Sequence, residues 1–389
     1  MAQNAPKTRV AVLFGGRSSE HEISLISARS VIQNLDRSRF EVVPIGIDRD
    51  GRWYLNDISL LEKVKGPGGT TLDLPVRFSG SAPEVTVPLH QAQTSGGHEL
   101  WSAGQGKGGS LPKFDVAFPV MHGTLCEDGA IQGLLELAGI PYVGCGVLGS
   151  AIGMDKEVAK RLANGVGIPV VPFVSIRKDA FVRSSADVEK RVWDSLELPV
   201  FVKPACLGSS VGVHKVKQKK DLKAALEDVF RYDLKALVER AVPAREIEVA
   251  VLENLNSTEP PIVSVPGEIV PKHEFYSYEA KYLDENGAEL KLPAEITEAQ
   301  AARARTLARE IFLALECEGM ARVDLFLDKD SGEFYFNELN TIPGFTQISM
   351  YPKMMEASGV SYKNLLTHLI ELALKRKATQ DRLVRDWKS

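Results

Sequence analysis

The fold depends on two stretches, Gly319-Met-Ala-Arg-Val-Asp-Leu-Phe-Leu-Asp328 and Phe334-Tyr-Phe-Asn-Glu-Leu-Asn340, which have the alternation of neighbouring β-strands. Alternate residues of a strand share one face, so the polar side chains project together while the apolar ones point the other way. The polar side chains are those of Arg322, Asp324, Glu338 and Asn340. Hard oxygen ligands suit Mg²⁺ held partly by substrate phosphates, and a fixed arginine suits developing negative charge. The pattern predicts a metal-nucleotide site, with an ordinary surface hairpin as the alternative.

The composition favours a multidomain cytoplasmic protein. The chain has 389 residues, enough for three domains because single cores stop growing near roughly 250–300 residues. Its 47 basic and 51 acidic residues give a net charge of −4, which offers no electrostatic case for nucleic acid or an anionic membrane. The four cysteines lack metal-ligand spacing and are interpreted as free thiols. Neither a leader pattern nor a run of about 18 apolar residues indicates export or a membrane span.

The N-terminal region alternates strand and helix patterns. The apolar run Arg9–Phe14 ends at two glycines and leads into a helical pattern of apolar residues. Ser19 and Glu22 have the spacing of a capping box, which predicts Glu20 in the first helical turn. This alternation predicts a parallel α/β domain whose ligands gather at the carboxyl ends of strands, where Glu20 and His122 fall.

The predicted fold class is α/β, with α+β parts, in three domains. We expect an N-terminal α/β domain at residues 1–145, a central domain at 146–254 and a C-terminal domain at 255–389. Within the first domain, residues from about 51 to 112 are rich in Gly, Ser and Pro and lack helical periodicity. That segment is interpreted as an insertion that bears a hairpin.

A loop of glycines and serines follows Lys203, which ends a strand-like run. The loop includes Gly208, Ser209, Ser210 and Gly212. Glycine lets backbone N–H groups approach an anion, serine adds donors and lysine adds a point charge, so the segment can wrap phosphates. Its spacing is not that of a Walker A motif. A glycine-rich turn without a ligand is the alternative.

The next strand pattern contains a candidate adenosine site. The run Ala236–Val242 breaks at Pro243, and a carboxylate follows at Glu246. A strand-to-loop hinge offers backbone donors and acceptors to adenine, and an acidic side chain can hold ribose hydroxyls. Lys156, early in a predicted helix, either reaches phosphate or is an exposed helix lysine.

Seven motifs in a fixed order make a far more specific pattern than any one of them. They are Gly15-Gly-Arg-Ser-Ser-Glu20-His-Glu-Ile-Ser24, His122-Gly-Thr-Leu-Cys-Glu127-Asp-Gly129, Met154-Asp-Lys156, the loop from Lys203 to Val213, Glu279-Ala-Lys281-Tyr282, Arg322-Val-Asp324 and Glu338-Leu-Asn340-Thr-Ile-Pro-Gly344-Phe-Thr. Together they closely resemble the D-alanine–D-alanine ligase family of ATP-grasp enzymes. The resemblance covers the chain from about Arg9 to Leu374.

The resemblance implies an architecture and a set of partners. It implies a three-domain ATP-grasp fold with ATP held between the central and C-terminal domains. The substrates it implies are D-alanine and ATP, and the metal is Mg²⁺, as two ions that Mn²⁺ can replace. It further implies peptidoglycan precursor synthesis in the cytoplasm by a homodimer. Neither nucleic acid nor membrane is an expected partner.

By similarity to the family, a first group of residues holds ATP and metal. The phosphate-binding lysines are Lys156, Lys203 and Lys281, with Ser209 in the phosphate loop. The residues around adenosine are Glu239, Val242 and Glu246. The metal ligands are Asp324, Glu338 and Asn340.

The resemblance assigns a second group to the amino-acid substrates. Glu20, near His122, matches the position that holds the ammonium of the first D-alanine. Arg322 and the Gly344 N–H match the oxyanion site, and Ser349 matches a contact to the second D-alanine's carboxylate. Glu20, Ser209 and Tyr282 match a hydrogen-bonded link that closes the site against water, which would otherwise hydrolyse an acyl phosphate.

Two alternatives remain at this stage. A D-alanyl-D-lactate or D-alanyl-D-serine ligase would use the same acyl phosphate with another nucleophile, although Tyr282 argues against the lactate enzymes. A nucleotide-binding module that has lost catalysis is the other alternative. It need not keep an oxyanion arginine such as Arg322.

Overall fold

The computed structural model describes residues 6–58, 82–88, 97–102, 111–271, 288–346 and 348–384. The centre of its first sheet consists of parallel strands. A helix between the first two strands returns the chain to the end of the sheet at which the first strand began. The elements are β1 (Thr8–Gly15), α1 (His21–Asn34), β2 (Phe40–Ile47) and β6 (Val116–Pro119). Strand β1 lies between β2 and β6 and is parallel to both. The apolar run predicted as a buried strand is β1.

The insertion adds antiparallel strands to one edge of this sheet. They are β3 (Trp53–Leu55), β4 (Glu84–Thr86) and β5 (Trp101–Ser102). The order is β5-β4-β3-β2-β1-β6, with antiparallel pairing from β2 outward to β5. The hairpin-bearing insertion is thus seen in its described parts, and the domain predicted as parallel has a mixed sheet.

Helix α1 corrects one prediction. It begins at His21, so Glu20 is the residue that precedes the helix rather than a member of its first turn, and its side chain makes no capping hydrogen bond. The Ser18 hydroxyl accepts a hydrogen bond from the Glu20 N–H at 3.0 Å. The predicted start of the helix is therefore displaced by one residue, and the Glu20 side chain lines a cavity.

The chain then crosses to a second sheet through three helices, α2 (Ala130–Leu137), α3 (Val147–Met154) and α4 (Lys156–Gly165). Asp155 separates α3 from α4 and caps α4, accepting from the N–H groups of Glu157 and Val158. The second sheet and its helices are β7 (Phe173–Arg177), α5 (Lys178–Arg183), α6 (Ser185–Ser195), β8 (Val200–Pro204), β9 (His214–Val216), α7 (Leu222–Val229) and β10 (Lys235–Arg240). Its order is β7-β10-β8-β9, all antiparallel.

The third sheet contains the two alternating stretches from Gly319 to Asp328 and from Phe334 to Asn340. Its elements are β11 (Ala244–Leu252), β12 (Ile262–Val263), β13 (Gly267–Pro271), β14 (Ala288–Lys291), β15 (Met320–Asp328) and β16 (Phe334–Asn340), with helices α8 (Glu298–Ala314), α9 (Met350–Ala357) and α10 (Tyr362–Gln380). The order is β14-β13-β11-β15-β16, and β12 pairs with β11. Thr297 and Gln300 form a capping box at the start of α8.

The sheets do not follow the predicted division at residue 254. Strand β11 was predicted to belong to the central domain, but it pairs along its length with β15 of the third sheet. Helix α4 packs against β16 as well. The second sheet is therefore confined to the segment from β7 to β10, and a boundary near Pro243 fits the pairing better.

One continuous apolar core joins the N-terminal sheet to the last two helices. It includes Phe14 and Phe118 from the first sheet and Phe345, Tyr351 and Leu369 from the C-terminal part. The Phe118 and Phe345 rings meet edge to face at 5.9 Å. This packing fixes the loop after β16 beneath the carboxyl ends of β1 and β6.

Two further expectations concern cysteines and membranes. All four cysteines are free thiols, as predicted. Within the described ranges, no helix combines the length and the apolar character that a membrane span requires.

Candidate active site

A cavity of about 1090 Å³ opens where the three sheets meet. Its walls come from the loop before α1, the strand ends of β8 and β10, strand β11, and the paired strands β15 and β16. Of the residues predicted from the sequence, it is lined by Glu20, His122, Lys156, Lys203, Ser209, Glu239, Val242, Glu246, Arg322, Asp324, Glu338, Asn340, Gly344 and Ser349. Lys281 and Tyr282 lie outside the described residues.

The four polar side chains of β15 and β16 share one face, as the alternation predicts. In the antiparallel register Arg322 lies opposite Asn340, and Asp324 lies opposite Glu338. The Arg322 guanidinium donates to both Asp324 oxygens at 2.7 Å, and the Asn340 amide donates to Asp324 at 2.9 Å. Cross-strand carboxylates repel each other unless cations lie nearby. Arg322 supplies such a cation for Asp324, and Lys156 supplies one for Glu338.

Arg322 has a second acidic partner that the sequence analysis missed. Its Nε lies 3.3 Å from Oε2 of Glu248 on β11. Burial opposes the charged guanidinium, but Asp324 and Glu248 outweigh it and raise the pKa of Arg322 well above its usual value. Arg322 is thus a permanent, oriented cation at the cavity wall. Alternation with Glu246 in the same strand is the signal that could have revealed Glu248.

Lys156 connects the carboxylate face to the glycine loop. Its Nζ lies 3.1 Å from Glu338 Oε2 and donates to the Leu207 carbonyl at 2.7 Å. Burial disfavours the ammonium, yet Glu338 outweighs burial and raises the pKa of Lys156. Lys156 is buried and lines the cavity, so it is not the exposed helix lysine of the alternative interpretation.

A second set of charges includes Lys203 and Glu239, which lie on β8 and β10, the two inner strands of the second sheet. Lys203 Nζ is 2.7 Å from Glu239 Oε2, and Lys160 Nζ is 3.0 Å from Glu239 Oε1. Burial raises the pKa of Glu239, but the two lysines outweigh it and hold the pKa below its ordinary value. Val242 and Glu246 line the cavity just beyond. The sequence analysis missed Lys160, although it lies one helical turn after Lys156 and so on the same face.

The N-terminal sheet contributes Glu20 and His122. Glu20 accepts a hydrogen bond from the Ser209 hydroxyl, which joins the first domain to the glycine loop. Gly123, at φ +80°, makes room for this carboxylate, since a Cβ there would lie 2.7 Å from Glu20 Oε2. Two members of the predicted Glu20–Ser209–Tyr282 link are therefore in contact.

His122 is fixed by three neighbours. Its Nε2 lies 3.0 Å from the Ser27 hydroxyl, and its Nδ1 lies 3.0 Å from the Ile342 carbonyl and 3.4 Å from Glu127 Oε1. Burial lowers the pKa of the imidazole, but Glu127 and Glu20 outweigh burial and raise it. Glu127 belongs to the motif from His122 to Gly129, but the sequence alone predicted no role for it.

The loop after β16 completes the cavity. Ser349 Oγ accepts from the Thr346 N–H at 3.0 Å and lies 2.7 Å from the Thr346 hydroxyl. A Cβ on Gly344 would lie 2.7 Å from Ser349 Oγ, so glycine allows the backbone to approach this serine. Gly344 and Ser349 therefore face the cavity from the same short loop.

Models of known families match nearly the whole chain. The model described as D-ala D-ala ligase N-terminus matches residues 9–145, and that described as D-ala D-ala ligase C-terminus matches residues 162–371. A D-alanine–D-alanine ligase A from Bradyrhizobium diazoefficiens is 52% identical, covering 99% of this chain and 100% of that protein. One from Chromobacterium violaceum is 51% identical, covering 97% and 98%.

Solved structures have the same fold. The D-alanine-D-alanine ligase from Coxiella burnetii has a TM-score of 0.82 at 37% identity and covers 99% of both chains. A D-Ala:D-Ser ligase from Enterococcus faecalis has a TM-score of 0.80 at 36% identity, covering 95% of this chain and all of that one.

The mixed α/β fold with its inter-sheet cavity defines an enzyme of the ATP-grasp class, the architecture of these neighbours. Such an enzyme is a ligase that uses ATP. The chain belongs to the D-alanine–D-alanine ligase family. The family and the fold class predicted from the sequence are both confirmed.

Proposed function

We propose that this protein joins two D-alanines into D-alanyl-D-alanine for peptidoglycan precursor synthesis, with ATP converted to ADP and phosphate. Family membership over the full chain supports the reaction. The single observation that carries it is the cavity itself, where the Glu20 carboxylate, the Arg322 guanidinium and the Ser209 loop face one space. An anion-binding loop, a cation-binding carboxylate and a fixed arginine are what amino-acid activation requires.

ATP occupies the side of the cavity formed by β8, β10 and β11. Adenosine lies among Glu239, Val242 and Glu246, and Lys156 and Lys203 hold phosphates. Support comes from their shared wall and from the buried lysines, whose charges offset triphosphate. Lys281 is assigned to the same task by family resemblance alone.

Mg²⁺ is proposed at Asp324, Glu338 and Asn340. The donor set fits, because two opposed carboxylates and an amide oxygen are hard ligands, which leave further positions for phosphate and water. Mg²⁺ is commonly bound by one or two carboxylates together with substrate phosphates. Held by these residues, it would neutralise phosphate charge.

The chemistry proceeds in two steps. A carboxylate oxygen of the first D-alanine attacks the γ-phosphorus of ATP, the bond to ADP breaks, and D-alanyl phosphate forms. The amine of the second D-alanine then attacks the acyl carbon, and the tetrahedral intermediate expels phosphate as the amine loses its proton. Glu20 pairs with the first ammonium beside His122, Arg322 and the Gly344 N–H stabilise the oxyanion, and Ser349 orients the second carboxylate.

Isotope transfer tests this sequence directly. D-alanine labelled with ¹⁸O in its carboxylate should pass one label per turnover into inorganic phosphate, because the attacking oxygen leaves with the phosphoryl group. Mass spectrometry of phosphate detects it. ADP release without label transfer would rule out an acyl phosphate.

A D-alanyl-D-serine ligase is the second candidate, because a structural neighbour at 36% identity is a D-Ala:D-Ser ligase. D-alanyl-D-lactate is a weaker alternative, and Tyr282 argues against it. The inactive module is disfavoured by the intact Arg322 and its carboxylate partners.

The assembly and compartment are proposed with the same function. We assign a homodimer formed through the N-terminal domain, in which Leu137 at the end of α2 is an exposed apolar side chain. Light scattering that gives one protomer mass at micromolar concentration would contradict it. The cytoplasm is the proposed compartment.

A further inference from the structure

Lys160 is a buried charge behind the wall of the cavity. Its side chain is 0% exposed in α4, and it does not line the cavity, whereas Lys156 one turn earlier does. Lysines are almost never fully buried unless they are paired. A buried ammonium is costly, so its partners indicate what it does.

The partners of Lys160 come from two different sheets. Its Nζ lies 3.0 Å from Glu239 Oε1 on β10 and donates to the Phe336 carbonyl on β16 at 3.0 Å. The ammonium also lies 5.9 Å from the centre of the Phe336 ring. Burial lowers the pKa of Lys160 to about 8, with Glu239 opposing the shift, so the side chain is charged at neutral pH.

Glu239 therefore lies between two ammonium groups with different exposure to ligand. Lys203, on its other oxygen at 2.7 Å, lines the cavity and is the proposed phosphate ligand. When Lys203 donates some of its N–H groups to phosphate, fewer remain for Glu239, and the contact between Lys203 and Glu239 weakens. Lys160 lies behind the wall, where phosphate does not compete for it.

We propose that Lys160 is a positioning residue for ATP, which keeps the Glu239 carboxylate ionised and oriented while Lys203 turns to the phosphates. This inference rests on the proposed ATP site and adds a residue that does not touch the nucleotide. Because β16 carries the Phe336 carbonyl, Lys160 also ties the adenosine side of the cavity to the strand that holds the metal ligands.

The test is substitution Lys160→Met, which removes the charge and keeps the length of the side chain. Glu239 lies on the adenosine side and away from the acyl centre. The substitution should therefore weaken nucleotide binding equally in the ground state and in the transition state. We expect the KM for ATP and the Kd for ADP to rise about tenfold. The KM for D-alanine and the kcat should each change by less than about twofold.

A double-mutant cycle separates positioning from general stability. In a Glu239→Gln background, Lys160→Met should change ADP affinity by less than about twofold, because its target is gone. Lys235→Met is the matched control. Lys235 is 7% exposed and contacts Asp155 and Glu157 at the start of the same helix, but it lies off the cavity. It should reduce melting temperature without altering ADP affinity.

Several outcomes would overturn the inference. They are unchanged ADP affinity in folded Lys160→Met, an equal loss in the Glu239→Gln background, or the same loss in Lys235→Met. If Lys160→Met does not fold, Lys160→Gln, which retains a donor for Phe336 but no charge, serves in its place with the same expected loss. ADP binding is measured without D-alanine, so it tests Lys160 even if the wild type makes no dipeptide, a result that would refute the proposed function instead.

Discussion

Arg322 is oriented before any substrate arrives. Two carboxylates from different strands, Asp324 and Glu248, lie within 3.3 Å of its guanidinium. A preorganised donor costs no reorganisation when charge develops on the acyl oxygen. Its place beside the Gly344 loop makes it the strongest candidate for transition-state stabilisation.

Arg322→Ala should reduce kcat by well over tenfold, on the roughly 3 kcal/mol scale of an oxyanion donor, and leave ADP affinity within about threefold. Steady-state kinetics and calorimetry measure the two effects. Arg245→Ala is the control, since Arg245 makes a comparable two-point contact with Glu268 on the same sheet but lies off the cavity. Near-normal turnover of Arg322→Ala would refute the role.

Glu20→Gln should raise the KM for D-alanine by at least about tenfold, because the amide lacks the charge that pairs with an ammonium. The KM for ATP should be little altered. Glu22→Gln is a neighbouring control, because Glu22 pairs with Arg49 and does not line the cavity. Equal effects of the two substitutions would contradict the assignment of Glu20.

At this scale the sequence predicted which residues meet, but not all their partners. Strand alternation placed Arg322 with Asp324 correctly, because a two-residue period leaves little choice of face. Lys160 and Glu248 escaped notice because their importance depends on burial and on contacts between distant strands. Neither is visible in local spacing.

A partly buried polar contact helps to hold the first sheet in register. Arg9 on β1 makes three hydrogen bonds to Asp115, through its backbone N–H at 2.7 Å and its guanidinium at 3.1 and 2.6 Å. Asp115 immediately precedes β6, so this contact fixes the start of the β1–β6 pairing. The carboxyl ends of those strands then present the turns that carry Glu20 and His122.

Asp115→Asn should destabilise the protein by about 1–2 kcal/mol at pH 7, through loss of charged hydrogen bonds. Burial raises the pKa of Asp115, but Arg9 outweighs it and holds the pKa below its ordinary value. A carboxylate whose pKa is lower in the folded state stabilises the fold at pH values above its unfolded-state pKa, which is about 4. This stabilisation is lost as the pH falls through the folded-state pKa. The difference in free energy of unfolding should therefore shrink as the pH falls below about 4.

Urea unfolding at several pH values measures this difference. Glu371→Gln removes the exposed pair with Arg39 and should change stability by less than about 0.5 kcal/mol. A difference between Asp115→Asn and wild type that stayed constant with pH would show that the Asp115 charge contributes nothing.

Element types were predicted well and their sheet membership less well. Strand β11 falls within the segment predicted as the central domain, yet it belongs to the third sheet because it pairs with β15. Paired residues such as Glu248 and Asp324 lie 76 positions apart in the chain. Helix α1 begins at His21, one residue after Glu20, and the Ser18 hydroxyl accepts a hydrogen bond from the Glu20 N–H. Local propensity does not determine either result.

The whole molecule brings three sheets to one cavity. The shared core of Phe118 and Phe345 ties the first sheet to the loop of Gly344, and the contact of Glu20 with Ser209 ties it to the phosphate loop. The order of motifs along the chain predicted this convergence through family resemblance. Composition and periodicity alone would not have predicted it, because the contributing residues lie more than 300 positions apart, from Glu20 to Ser349.

Product analysis with competing substrates tests whether this protein makes D-alanyl-D-alanine. The protein is incubated at neutral pH with ATP, Mg²⁺ and D-alanine, together with equimolar D-serine and D-lactate, and the products are separated by mass. The account predicts D-alanyl-D-alanine as the main product, with ADP formed in equal amount. A main product of D-alanyl-D-serine or D-alanyl-D-lactate, or no ADP release that depends on D-alanine, would contradict it.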